Sequence, residues 1–115
     1  MYNNRLYLYW NIGKTVYEKQ NMHENAVEKY SNFYSYYYGN SYLFTRNSIK
    51  MMVMFYICFP IFFQKMENIS WNQYLLLMTI SNSKERYFYF YLSLFFNSDY
   101  QETLDFINNK YYARV

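Results

Sequence analysis

The stretch LYLYWNIGKTV, residues 6–16, sets a glycine in the middle of what otherwise reads as the opening helix of the chain. Leu6, Trp10, Gly13 and Tyr17 recur at helical spacing, with Tyr9, Ile12 and Val16 beside them, so one broad apolar stripe passes through Gly13. Glycine costs about 1 kcal/mol relative to alanine in a helix interior. Its presence there marks either the end of the helix or a place where another element comes close. The stripe continues to Val16 and Tyr17, which predicts a first helix ending near Gln20.

Working outward, Val27, Tyr30, Tyr34 and Tyr37 repeat the helical pattern until Gly39-Asn40, both of which tolerate the left-handed conformation that ends helices. Thr45 is a good N-cap for a third helix from Arg46 to Phe59, with Ile49, Met52, Val53 and Tyr56 on its inward stripe. Ser70 with Gln73, and Asp99 with Glu102, form capping-box patterns ahead of a fourth and a last helix. Between them Ser83 precedes KERYFYFYLSLFF, where Tyr87, Tyr91 and Leu94 have helical spacing while the Tyr/Phe alternation over 87–91 also suits a half-buried strand. The fold class expected is all-α, a compact bundle of five or six helices. Its expected core includes Trp10, Val27, Ile49, Met52, Tyr56, Trp71, Leu75 and Ile107.

Composition agrees with a packed helical module. The 115 residues suit a single domain, 53% are hydrophobic, and Gly and Pro total three, too few turn residues for a many-stranded sandwich or barrel. Aromatics reach 27%, with 18 Tyr, the usage expected of AT-rich coding sequence, so aromatic clusters are read first as composition. The net charge of +3 is spread along the chain, which permits DNA binding without demanding it. Cys58 is the single cysteine and the start lacks the pattern of a signal peptide, so a reducing, cytoplasmic setting is expected. The apolar run at 51–63 holds thirteen residues and is broken by Pro60, short of the roughly 18 a membrane span needs. No membrane partner is expected.

Chemistry-bearing patterns are few. His23 is the only histidine, and with Glu24 it cannot make a metal site alone. No nucleophile has a second histidine to choose from, and two glycines cannot build a phosphate cradle. No Asp or Glu is followed two positions later by Lys, the arrangement a metal-dependent nuclease would use. The chain is therefore expected to be no enzyme and to need no cofactor or metal.

Four stretches in order, YWNIG at 9–13, FTRNSIKMMVMFY at 44–56, ISWNQYLLL at 69–77 and KERYFY at 84–89, resemble the N-terminal domain of YhcG-like (DUF1016) proteins. In that family the helical module normally precedes a PD-(D/E)XK nuclease domain. The resemblance covers nearly the whole chain. It implies a helix-turn-helix-like element that binds DNA, a nuclease domain missing here, and an N-terminus clipped relative to the family. It also favours close packing over termination at Gly13. Departures are the basic residues expected at Met51 and Val53, Asn at Ser48, His at Gln73 and Trp near Ser98.

On this reading the helix after Thr45 enters the major groove, with Arg46 reading guanine, Asn47 reading adenine and Lys50 holding phosphate. The expected partners are DNA and a separate PD-(D/E)XK nuclease chain or a second copy. The alternative is a non-catalytic interaction or oligomerisation domain, or a degenerate gene fragment. Met51 and Met54 favour the interaction domain, because they place apolar side chains on the face that would meet DNA. Tyr36, Tyr37 and Tyr38 would join such a patch or stack on bases.

Overall fold

The computed structural model describes residues 5–20, 25–39 and 42–115. Among them are six α-helices and no strand: α1 (Arg5–Gln20), α2 (Ala26–Tyr38), α3 (Arg46–Cys58), α4 (Trp71–Leu77), α5 (Ser83–Phe95) and α6 (Tyr100–Asn108). Short 3₁₀ turns cover Gln64–Asn68 and Tyr111–Arg114. The fold is all-α. Backbone contacts gather into two compact units, Tyr7–Ile61 and Phe62–Val115, the second with residues 5 and 6. His23 and Glu24 lie outside the described residues.

In the first unit α1 runs uninterrupted through Gly13, and the reason for glycine is a neighbouring backbone. A Cβ added there would fall inside the van der Waals envelope of the Met52 carbonyl oxygen, 2.5 Å from the Met52 carbonyl carbon and 3.1 Å from the Val53 nitrogen. Any side chain would push α3 away. Around this contact the Tyr56 ring lies 5.5 Å from both Trp10 and Tyr17, one turn to either side of the glycine. The Trp10 indole N–H donates to the Phe59 carbonyl at 2.8 Å, satisfying a buried donor at the point where α3 ends. Pro60 disfavours helical geometry at the residue before it, and Phe59 is the C-cap accordingly, one residue short of the expected end.

The connection from α2 to α3 is pinned as well. Gly39 takes φ 65, with open space where a side chain would go, so its role is the left-handed cap of α2. Buried Ser31 donates its hydroxyl to the Phe44 carbonyl at 2.5 Å. The Phe44 ring stacks on Tyr38 at 5.2 Å and lies 6.0 Å from Tyr34. Tyr34 in turn has its hydroxyl pKa raised, first by burial and then by its neighbours Tyr30 and Tyr38.

In the second unit both expected capping boxes form, Ser70 with Gln73 and Asp99 with Glu102. The Tyr/Phe alternation of 87–91 is helical. Asn82, rather than Ser83, caps α5 by accepting the Glu85 N–H at 2.9 Å, and Tyr87 stacks on Tyr91 one turn later. The helix ends in a Schellman arrangement: Asn97 at φ 50 donates to the Leu94 carbonyl and Ser98 to that of Ser93. Gln73 is buried, and its amide donates to the Ser98 carbonyl at 2.8 Å and to the Thr103 hydroxyl oxygen at 3.0 Å. That single side chain joins the start of α4 to the junction of α5 and α6. At the position where the family resemblance expects histidine, glutamine is a structural tie.

Trp10, Ile49 and Met52 are buried as expected, whereas Val27, Tyr56, Trp71, Leu75 and Ile107 are half-buried. The most enclosed positions beside them are Ala26, Phe55, Tyr74, Leu77 and Thr103. The stripes of α1 and α3 thus face inward largely as hydropathy suggests, whereas in α2, α4 and α6 a most buried position, Ala26, Tyr74 and Thr103 respectively, lies one residue from the expected stripe.

Two measurements check this packing. Gly13→Ala should lower Tm by several degrees despite the better helix propensity of alanine, because overpacking costs about 1–3 kcal/mol; an unchanged or higher Tm would contradict the crossing. Fully buried Tyr74 donates to the Met66 carbonyl at 2.7 Å, and burial raises its hydroxyl pKa. Since the unfolded chain releases that proton first, the associated stability is intact below about pH 10 and is lost as pH rises from there toward the raised folded value. Tyr74→Phe should cost about 1–3 kcal/mol at neutral pH and flatten the alkaline decline in denaturant titrations.

Candidate nucleic-acid interface

The expected contact residues all belong to the start of α3. Thr45 adopts extended geometry and its hydroxyl oxygen accepts the Ser48 N–H at 3.2 Å, while the Thr45 hydroxyl donates to the Ser48 hydroxyl oxygen at 3.0 Å. The helix begins cleanly at Arg46. Arg46, Asn47 and Lys50 are exposed, and Ile49, Met52, Val53 and Phe55 are buried beneath them. Arg46 and Lys50 stand one turn apart, as do Asn47 and Lys50, so the three share a face. That face changes character along the helix. Met51, Met54 and Ile57 continue it, at 41%, 42% and 50% exposure, so a polar first turn and a half passes into an apolar end.

Charge distribution sharpens the picture. No Asp or Glu occurs between Glu28 and Glu67, a stretch holding Lys29, Arg46, Lys50 and Lys65 and all of α3. Whereas α2, α5 and α6 each carry a glutamate in the first turn, α3 carries Arg46 and no acidic residue there. A cation at a helix N-terminus opposes the macrodipole by about 0.3–1 kcal/mol. An anion bound there would relieve that opposition. This acid-free stretch is visible in the sequence as a gap in the carboxylates, although the even overall charge balance conceals it.

The structure also separates the two positions where basic residues are expected from the family resemblance. Met51 is on the exposed face, but Val53 is 6% exposed and faces inward. Only the first departure removes a cation from the surface of this chain. Phe33 and Tyr42, not singled out by sequence pattern, are exposed together with Tyr36, Tyr37 and Tyr38. Their signal was masked by the general abundance of aromatics.

In the second unit a cleft of about 410 Å³ is lined by Asn72, Leu75, Leu76, Thr79 and Tyr100, and another of about 440 Å³ by Phe63, Lys65, Asn68, Tyr91, Leu94 and Phe95. Neither brings together a nucleophile and a base. Among the described residues no group of three or more His, Cys, Asp or Glu converges, and no helix is long and apolar enough to cross a membrane.

An all-helical module with a cation-bearing, acid-free helix is thus the class that geometry defines. The chain belongs to the DUF1016 N-terminal domain family, whose model matches residues 2–114. No curated protein and no solved structure matches it.

The burial difference between the two α3 positions is testable. Met51→Arg should leave Tm within a few degrees of the parent, whereas Val53→Lys should lose at least about 2 kcal/mol by placing a charge in the core. Equal tolerance of both in thermal melts would contradict the orientation of α3.

Proposed function

We propose that this domain binds DNA through the first turns of α3, as the recognition part of a nuclease system whose cutting is done by another PD-(D/E)XK chain or domain. The observation that carries the reading is the exposed Arg46, Asn47 and Lys50 on one face of a helix without a carboxylate, at the position the family resemblance assigns to DNA contact. In this reading Arg46 and Asn47 contact base edges and Lys50 a phosphate. The domain itself makes and breaks no bonds, and works in the cytoplasm. The helix-turn-helix-like element is α2 with α3. Residues 39–45 connect them, more than the turn of about three or four residues in the compact form of that motif.

Met51, Met54 and Ile57 support a second reading, in which the same helix docks on a protein partner or a second copy. The two differ in salt dependence, since counterion release makes DNA affinity fall steeply with salt while apolar association does not.

Fluorescence anisotropy on a mixed-sequence duplex tests the proposal. Arg46→Ala and Lys50→Ala should each weaken binding at low salt, and together they should flatten the salt slope by up to about two phosphate contacts. Met51→Arg should strengthen it through the same term. Absence of binding by the parent, with none gained by Met51→Arg, would overturn the DNA reading and leave the interaction domain.

A further inference from the structure

The larger cleft of the second unit is walled by two pieces of chain. One wall is the 3₁₀ turn Gln64–Asn68 with the residue before it, giving Phe63, Lys65 and Asn68; the other is a face of α5, giving Tyr91, Leu94 and Phe95. Side chains three apart eclipse in a 3₁₀ turn, which puts Lys65 and Asn68 on the same side, and positions i, i+3 and i+4 share a helix face, which groups Tyr91, Leu94 and Phe95. Between the walls lies a space of about 440 Å³. Both walls are anchored from beneath. Met66, in the middle of the turn, is fully buried and its carbonyl accepts the Tyr74 hydroxyl at 2.7 Å, while the Phe63 ring meets buried Phe90 edge-on at 6.1 Å. Tyr91 and Phe95 nonetheless stay 56% and 82% exposed, so the core leaves these rings free for a ligand.

From these six lining residues we infer that the cleft holds one unpaired nucleotide of a single-stranded nucleic acid, its base laid against Tyr91 and Phe95, its edge on the Asn68 carboxamide and its phosphate on Lys65. In a duplex the base faces are covered by their neighbours; in a single strand each base offers a face that an aromatic ring can cover. Asn68 supplies a carbonyl acceptor and an amide donor, the pair of groups that a base edge complements. Lys65 is exposed, and no carboxylate is among the lining residues to repel a phosphodiester. The cleft stands open at Phe95, whereas sites for free small molecules bury most of their ligand. A strand can therefore enter and leave it, and one ammonium matches the single charge of one phosphodiester. From Tyr91 to Phe95 the helix wall is about 6 Å long, one turn, too short to seat the successive anchors of a docking helix. The site shares no residue with α3, and the inference stands independently of the reading of that helix.

The test is a nuclear magnetic resonance titration of the labelled full chain at low salt with tetradeoxyuridylate, tetrauridylate and inorganic phosphate. Both tetranucleotides should shift the ring signals of Phe63, Tyr91 and Phe95 and the Asn68 side-chain amide in a saturable manner; the tighter of the two tells DNA from RNA, since they differ only in the 2′-hydroxyl. Phe95→Ala should weaken that binding by about tenfold and Phe95→Tyr should keep it. Lys65→Ala should weaken it and reduce its salt dependence by about one phosphate contact. Tm should be unchanged in all three variants, because both side chains are exposed. Shifts confined to Arg46, Asn47 and Lys50, an equal response of the cleft to inorganic phosphate alone, or binding indifferent to Phe95→Ala would each overturn this inference and leave the reading of α3 as it stands. Cleft signals that ignore every probe but broaden as the protein is concentrated would overturn it in favour of contact between copies of the chain.

Discussion

The close approach of α3 to α1 at Gly13 governs the unit formed by Tyr7–Ile61. Because the Met52 backbone occupies the space a side chain would need, the two helices come nearer than ordinary side-chain packing permits. Trp10 and Tyr17 then close around Tyr56 on either side of the contact, and the indole hydrogen bond to Phe59 fixes where α3 ends. Rotation of α3 follows from the same contact. With Met52 and Val53 turned toward α1, the residues one step around the helix, Asn47, Lys50, Met51 and Met54, face solvent. The composition of the exposed face is thus decided by a glycine in another helix.

At its other end α3 is positioned by α2. The Ser31 hydroxyl on the Phe44 carbonyl, and the ring of Phe44 against Tyr38 and Tyr34, hold the residue immediately before the Thr45 cap. Arg46 is therefore presented from a fixed start rather than a fraying one. Its placement against the helix dipole, in a stretch without carboxylates, gives the first turn of α3 a preference for anions that α2, α5 and α6, each opened by a glutamate, do not share. Farther along, Met51, Met54 and Ile57 set an apolar surface beside the charged one.

Much of this was legible in the residues. Thr45, the Ser70/Gln73 and Asp99/Glu102 pairs and Gly39 announce helix ends because each satisfies a specific backbone group or conformation, and all are used as expected. Gly13 was ambiguous by itself, since close approach and termination both favour glycine, and only the family pattern preferred the first. Inward and outward positions were harder to read where nearly every residue is apolar: Val27 and Leu75 have the right spacing, but Ala26 and Tyr74 lie deeper. Alternating Tyr and Phe at 87–91 fits strand or helix, and the Asn82 cap with its following Glu85 decides for the helix. The candidate interface was legible as three polar residues behind a good cap. The buried orientation of Val53 and the exposed rings of Phe33 and Tyr42 depend on how the helices are rotated against one another, which spacing does not encode.

Nuclear Overhauser spectroscopy on the labelled chain tests the crossing most directly. One α-proton of Gly13 occupies the direction a Cβ would take, toward Met52 and the Val53 nitrogen. The crossing predicts cross-peaks from the Gly13 α-protons to protons of Met52 and Val53 in α3, the signature of two backbones in contact. Cross-peaks from the Gly13 α-protons confined to residues of α1 would contradict it, and with it the orientation that exposes Arg46, Asn47 and Lys50.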